Sequence, residues 1–437
     1  MRVAAHHVGE TGACACIKME VTAMNSGSFP RNGKAGQLAR GPRSSDGTTS
    51  WVPRAVLKIT SSQRPISSLP KTIVSYLFDK AGISLIESQA CGSMPGAVVA
   101  VHDASFYKEL LMRGSLGLGD SYIEGKWDSP GVDHVIFKIL SSGIYQKIAP
   151  VYDFFRNAKS RLISLQGQKG ARKVIETHYD LPAEFFAAFL DSYLQYTCGF
   201  FESTDRLEQA QVNKMNLICM KLALKPGQRV LDIGGGWGGL AQFMTEHCGV
   251  RPVVVTLSKA QAAYIRAHYG GVEVLECDYR EVPARLNGRQ FDAVSAVGVL
   301  EHIGHKNYWH FMKVVHHSLR RGGGFLLHTI YTSSRKPEQN PWVEKHIFPN
   351  SELPTRRLVE SNAGQYFTPA QQGGFQELTP HYCKTLLAWN ENLNRAVESG
   401  KTKICRKEHR KWQYNFLSYA GSFKAAHTRV GQFLYVK

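Results

Sequence analysis

The segment Arg229–Leu240 reads RVLDIGGGWGGL: an apolar run, a carboxylate, a cluster of glycines and then the start of a further apolar stretch. This order predicts a strand that turns into a helix, with glycines letting a ligand approach the backbone beyond the strand's carboxyl end. From Gly234 the segment satisfies G-x-G-x-x-G through Gly236 and Gly239, the pattern of a dinucleotide loop. Asp232 argues against that tenant. A carboxylate beside a pyrophosphate is a like-charge contact, costly where water is partly excluded. A dinucleotide site also needs an acidic residue about 20 positions on. There VVVTLSKAQ (Val253–Gln261) offers Thr256 and Gln261 but no carboxylate. A P-loop would require Gly-Lys-Ser/Thr, which is missing. S-adenosylmethionine has no phosphate and bears an ammonium and a sulfonium, so Asp232 favours it.

Outward from the loop, QRVLDI, RPVVVTL, VEVLECD, FDAVSAVG and GGFLLHTI are apolar runs of strand length with helix-like stretches between several of them. The alternation predicts a parallel sheet with helices on both faces, an α/β Rossmann-like, doubly wound fold. The final run QFLYVK (Gln432–Lys437) is expected to add an edge strand. After the third strand, ECDYRE places Asp278 and Tyr279 where an adenine would lie. The two loops together point to a class I S-adenosylmethionine-dependent methyltransferase.

The chain has 437 residues, more than one core usually organises. Residues 1–68 are rich in Gly, Ser, Thr and Arg and are expected to form a disordered tail. TIVSYLFDKAGISL, AVVAVHD and ASFYKELLMRG alternate helix and strand patterns and open a smaller amino-terminal α+β domain, expected over residues 69–167, with the methyltransferase domain over 168–437. At the boundary, FFRNAKSRLISLQGQKGARK (Phe154–Lys173) is basic and amphipathic, which fits either a solvated linker or a membrane-facing patch. No apolar run approaches the length of a spanning helix. A net charge of +18 predicts attraction to a polyanion, nucleic acid or anionic membrane. Nine scattered cysteines without a C-x-x-C pair suit free thiols in a reducing compartment.

The flanking motifs narrow the acceptor. HYDLPAEFFAAFLDSYLQYTCGFF (His178–Phe201), GVLEHIGHKNYWHFM (Gly298–Met312), LLHTI, IFPN and the amino-terminal RGSLGLGDSYIEGKWDS stand in an order that strongly resembles the cyclopropane-fatty-acyl-phospholipid synthases and the mycolic acid cyclopropane synthases, over residues 71–437. The resemblance implies methylene transfer from S-adenosylmethionine to a cis double bond of an unsaturated phospholipid acyl chain. It also implies bound bicarbonate as the base, in a pocket mapping onto Cys198, Glu301, His328, the Ile330 backbone and Tyr382. For the cofactor it carries over to Tyr179, Tyr196, Thr197, the loop from Val230 to Gly238 (with Asp232, Gly234, Gly235, Gly236 and Trp237), Thr256, Leu257, Gln261, Asp278 and Tyr279. It further implies a homodimer and a cytoplasmic enzyme peripherally attached to a phospholipid membrane, with no nucleic-acid partner and no metal.

Each residue also has a structural reading. Cys198 fits a small packing residue, Glu301 and His302 fit helix-capping groups, and His328 fits a satisfied core histidine. His302, His305 and His310 could be drawn together around a metal, but EHIGH lacks the H-E-x-x-H order and methyl transfer needs no metal. The chain departs from the family pattern at Gly235, where relatives carry cysteine, and at Tyr419 in FLSYAGSF, where bacterial relatives have a cysteine. It departs again in AQQGGFQELTPHY (Ala370–Tyr382), which replaces a segment expected to shape the acyl and cofactor sites. That last change leaves open a methyl-branched or methylene product, or a catalytically silent lipid-binding protein. An RNA methyltransferase would call for an N-P-P-Y-type loop after the fourth strand, and AVGVLEHIG has none.

Overall fold

The computed structural model describes residues 69–87, 96–148 and 182–437. The expected tail, the basic segment 154–173, the boundary at 167 and Tyr179 lie outside the described residues.

Helix Leu69–Lys80 turns Val74, Leu77 and Phe78 inward, at the three-and-four spacing of an amphipathic helix. It packs beside strands β1 (Ser84–Ile86), β2 (Val98–Val101) and β3 (Trp127–Asp128), with β1 parallel and β3 antiparallel to β2. Helix Ser105–Ile123 kinks at Gly114, whose φ of 55° and ψ of −128° suit glycine. The core of these elements takes in Trp342, Val343, Ile347 and Tyr414 from the carboxyl-terminal part of the chain, and the described residues form one compact unit. Gly119 makes the approach feasible, because a Cβ there would fall 2.3 Å from the Trp342 ring. Polar ties reinforce it. Asp120 accepts from Lys345 at 2.9 Å, pairs with His346 at 2.6 Å and also binds Arg113. Burial opposes ionisation of Asp120, but these three partners outweigh it and hold the carboxyl well below the usual range. Arg410 donates to the carbonyls of Tyr122 (2.7 Å) and Trp127 (3.0 Å) while its guanidinium lies over the Tyr122 ring.

The alternating runs downstream become β4 (Arg229–Ile233), β5 (Arg251–Thr256), β6 (Glu273–Glu276), β7 (Phe291–Val297) and β8 (Leu319–Thr332). They pair in parallel in the order β6-β5-β4-β7-β8. The chain leaves β4 first toward β5 and later returns on its other side as β7, so the strand order reverses at β4 and opens a crevice beyond its carboxyl end.

Three further strands complete the sheet: β9 (Thr368–Pro369), β10 (Phe375–Glu377) and β11 (Thr428–Val436). The expectation of an edge strand at QFLYVK is corrected: β11 lies inside the sheet, antiparallel to both β8 and β10. Val430, Phe433, Leu434 and Tyr435 are all buried, so β11 is covered on both faces. The short, half-buried β10 takes the edge instead. That strand comes from the departing segment 370–382. Phe375 is stacked under the Arg356 guanidinium at 3.7 Å, and Glu377 accepts from the hydroxyls of Tyr331 and Thr379.

Candidate active site

The glycine turn after β4 builds the first half of the site. Gly234 has φ 75° and a Cβ there would meet Val299 Cγ2 at 2.4 Å. Gly236 has φ 56° with nothing within 4 Å of a Cβ, which leaves its backbone open to a ligand. Two cavities flank the turn and share Gly234, Gly236, Gln261 and Gly298. One is walled by Thr256, Leu257, Asp278 and Tyr279, the other by Tyr196, Thr197, Asp232, Gly235 and Trp237. A third cavity adjoins them through Tyr196, Thr197 and Gly298 and is walled by Glu301, His302, His328, Ile330, Tyr382, Trp389 and Tyr419, among others.

Asp232 is 1 % exposed; its Oδ1 accepts from Ser295 at 2.6 Å, while Oδ2 is buried with no protein partner. Desolvation pushes its carboxyl up to about 6 against the Ser295 hydrogen bond and the nearby Lys214 ammonium. A buried acceptor left over in this way suits a cationic ligand group. Gly235 belongs to the same arrangement. A Cβ there would lie 2.6 Å from Asp232 Oδ2, so glycine at 235 gives the carboxylate its room. At the other end, Asp278 accepts from the backbone N–H of Arg280 (2.9 Å) and from its guanidinium (2.8 Å), and the buried Tyr279 hydroxyl has no protein partner. Thr256 donates to Gln261 Oε1 at 2.8 Å, and Ser258 caps the helix Lys259–His268. This fixes the β5 turn by its own side chains.

In the third cavity, Glu301 Oε1 accepts from the Ile330 backbone N–H at 2.5 Å and Oε2 has no protein partner. Burial pushes the Glu301 carboxyl up to about 7 despite that bond. Burial, with the Lys214 and Lys221 ammonium groups nearby, pushes His328 down to about 3, so its ring is neutral; its Nε2 lacks a protein partner. Burial first, then the neighbouring Cys198, Tyr196 and Glu301, keeps the Tyr382 phenol far above its usual range and hence protonated. Its ring lies 4.6 Å from that of Phe423 and 6.1 Å from that of Trp389. The wall is therefore aromatic, with Glu301 Oε2 and His328 Nε2 left over.

The structure thus brings Glu301, His328, Ile330 and Tyr382 to one cavity, and Tyr196, Thr197, Asp232, Gly234, Gly235, Gly236, Trp237, Thr256, Leu257, Gln261, Asp278 and Tyr279 to the two beside it. Val230 sits in the core beneath the sheet, and Gly238 caps helix Gly239–Cys248; neither is on a cavity wall. Cys198 is fully buried behind the walls, its thiol 3.2 Å from the Gly199 carbonyl, and desolvation raises it far above an ordinary thiol. The Ile330 N–H is engaged by Glu301. Residues 371–379 of the departing segment form sheet edge and the start of helix Thr379–Glu398 and line none of these three cavities, while its last residue, Tyr382, stands on the wall of the third.

Several site residues carried no sequence signal. Ser351 and Leu353 arrive on the loop that follows the IFPN motif with its Phe348, and Leu386, Trp389, Asn415 and Phe423 arrive on two long helices whose apolar spacing looks like ordinary core. Lys214 is fully buried and donates to Gln195 Oε1 (2.5 Å) and Thr197 Oγ1 (3.0 Å), which holds the 195–197 wall. Its desolvation lowers the ammonium to about 8. A lysine on an amphipathic helix reads as solvent-facing from sequence. Of the histidines weighed for a metal, His305 pairs with Glu352 at 2.6 Å, and His310 packs against Tyr279.

The family model for mycolic acid cyclopropane synthetase matches residues 166–433. The chain belongs to this family. It is 37 % identical over 366 residues to the cyclopropane-fatty-acyl-phospholipid synthase of Escherichia coli K12, covering 83 % of this chain and 92 % of that one. The structure of the cyclopropane synthase MmaA2 from Mycobacterium tuberculosis superimposes with a TM-score of 0.56 at 28 % identity, covering 63 % of this chain and 100 % of that one. The mycolic acid cyclopropane synthase CmaA1, solved with SAH and CTAB, gives 0.55 at 29 %, covering 61 % and 98 %. The protein is an S-adenosylmethionine-dependent methyltransferase of the cyclopropane synthase type, with the Rossmann-like fold of that class. Among the described residues, no helix is long and apolar enough to cross a membrane.

Proposed function

We propose that the protein transfers a methylene group to the cis double bond of an unsaturated phospholipid acyl chain, with a bicarbonate ion held beside Glu301, His328 and Tyr382. The observation that carries this reading is the pair of orphaned buried atoms in one aromatic cavity, Glu301 Oε2 and His328 Nε2. A hydrogen-carbonate ion offers a hydroxyl for the former and an oxyanion for the latter. S-adenosylmethionine supplies an electrophilic methyl group when bound, and bicarbonate supplies the base that takes one proton from it.

The chain's own residues do the rest. Asp232 Oδ2 accepts a cationic group at the loop, Tyr279 offers its hydroxyl at the far end, and Trp237 covers the turn against Phe186 at 5.6 Å. An alkene is a weak nucleophile with no proton to lose beforehand, so alignment and exclusion of water dominate its reaction. Attack leaves a cation on the acyl chain, which the faces of Tyr382, Trp389, Tyr419 and Phe423 can stabilise. Loss of one proton from the added methyl then closes the ring, for a net gain of CH₂. Glu301 accepts the anion's hydroxyl most strongly when ionised, a form that gains as pH rises through about 7.

A second reading makes Glu301 itself the base, favoured by its raised carboxyl and its free Oε2 on the cavity wall. Removing carbonate from the buffer separates the two: activity restored by added bicarbonate supports the bound ion, and activity indifferent to it supports Glu301. The acceptor is proposed to come from a membrane surface, and the cytoplasmic, peripheral placement belongs to the same proposal. The net charge of +18 and the exposed Leu69, Tyr76 and Met112 on the amino-terminal helices support that docking. A homodimer is carried by the resemblance alone.

The test is incubation with S-adenosylmethionine and vesicles of cis-unsaturated phospholipid, followed by mass analysis of the fatty acids. A product heavier by CH₂ that resists hydrogenation of alkenes is expected. Cofactor binding without any modified lipid would overturn the proposal in favour of a silent lipid-binding protein, and a product that keeps an alkene would indicate a methylene or rearranged outcome.

A further inference from the structure

We infer that Gln432 and Lys221 are positioning residues that set the tautomer of His328, so that the ring presents an N–H, and not a lone pair, to the acceptor cavity. The inference deepens the proposed function, since it concerns the same cavity, but the tautomer can be read without turnover.

The antiparallel register of β11 on β8 places Gln432 directly opposite His328. Gln432 is completely buried and His328 nearly so, so their neighbouring protein groups decide how their polar atoms are paired. The Gln432 amide stands 3.3 Å from His328 Nδ1 on one side. On the other side Lys221, the last residue of helix Leu207–Lys221, donates to Gln432 Oε1 at 2.8 Å.

The direction of this chain follows from donor and acceptor counts. An ammonium has three donors and no acceptor, so Lys221 must face the amide oxygen. The amide then has only its NH₂ to offer His328, and Nδ1 must accept. A neutral imidazole carries one proton, and with Nδ1 accepting, that proton sits on Nε2. Nε2 is the buried atom with no protein partner, on a ring that lines the cavity. The ring is kept neutral by burial and by the two nearby ammonium groups. A carboxylate at 432 would do the opposite, accepting from Nδ1–H and turning a lone pair toward the cavity. Lys221 therefore reaches the reaction chamber through two intermediaries without touching it.

Nitrogen-15 NMR of the full-length protein with labelled histidine tests this. His328 is assigned by the resonances lost in His328→Gln. The expected spectrum has a protonated-type Nε2 and an unprotonated-type Nδ1. Gln432→Glu is expected to exchange the two and to lower product formation roughly 10–100-fold, as loss of a group that orients a functional histidine does, with cofactor affinity within about twofold. Lys221→Met should mix the tautomers and Lys221→Arg should restore the wild-type spectrum, which keeps the test alive if Gln432→Glu does not fold. A wild-type spectrum with Nδ1 protonated, or unchanged tautomers in both Gln432→Glu and Lys221→Met, overturns the inference. Protonated Nε2 in a protein that modifies no lipid would leave the relay standing and sink the synthase reading alone.

Discussion

The two halves of the site are assembled by different means. Around the two cavities beside the glycine turn, most of the wall comes from the carboxyl ends of β4, β5, β6 and β7 and the turns and helix starts that follow, so strand order brings Asp232, Gly236, Gln261, Asp278 and Gly298 together and the segment 186–197 closes one side. Around the acceptor cavity, Tyr196, Glu301, His328, Phe348, Tyr382 and Tyr419 come from six separate segments between residues 196 and 423. The first half is a property of the sheet's switch point. The second exists only once the long carboxyl-terminal helices have packed against β8 and β11.

If the halves are separable, a substitution in one should leave the other intact. The largest effect is expected from Glu301→Gln. Loss of the ionisable acceptor at this buried position should reduce product formation by about 10³-fold or more, while calorimetric cofactor affinity stays within about twofold. Asp232→Asn inverts that pattern. It should weaken cofactor binding roughly 10–100-fold, the cost of a charge-assisted bond of about 1.5–3 kcal/mol, and the chemical step at saturating cofactor should survive. The wild type has a matching pH signature. Its folded carboxyl sits raised at about 6 and must be ionised to host a cation, so affinity should fall as pH drops through about 6. Asn at 232 should flatten that limb.

Gly234→Ala probes the turn itself. A Cβ would press on Val299 Cγ2 and sit at positive φ, so a loss of about 1–3 kcal/mol in stability is expected, measured by chemical denaturation, together with weaker cofactor binding. The smallest effect is expected at the surface. Replacing Tyr76 and Met112 with serine should lower partition onto anionic vesicles by about threefold to tenfold, since only part of each side chain is reburied. Turnover of detergent-dispersed substrate should be unchanged.

The contrast also explains how far the sequence could be read. The sheet from β4 to β8 and the Asp232 argument were legible because both depend on residues within one strand and its turn. β11 was misplaced at the edge because an apolar run of six residues does not say which neighbours cover it. β10, a half-buried strand of three residues, gave no periodicity to detect. Glu301, His328 and Tyr382 were reached through the family pattern, whereas Trp389 and Phe423 look like any core aromatics on a helix. Lys214 and Gln432 were missed for a different reason. Their meaning lies in which polar atoms burial leaves them to satisfy, and that is decided by tertiary packing.

The central claim is that one proton leaves the transferred methyl inside the acceptor cavity. Cofactor labelled with a trideuterated methyl group, reacted with cis-unsaturated phospholipid vesicles, tests it most directly. The account predicts a saturated ring product that has gained CD₂, with the third deuteron lost to solvent, and no such product from Glu301→Gln. A product that retains all three deuterons, or one formed equally well by Glu301→Gln, would contradict it.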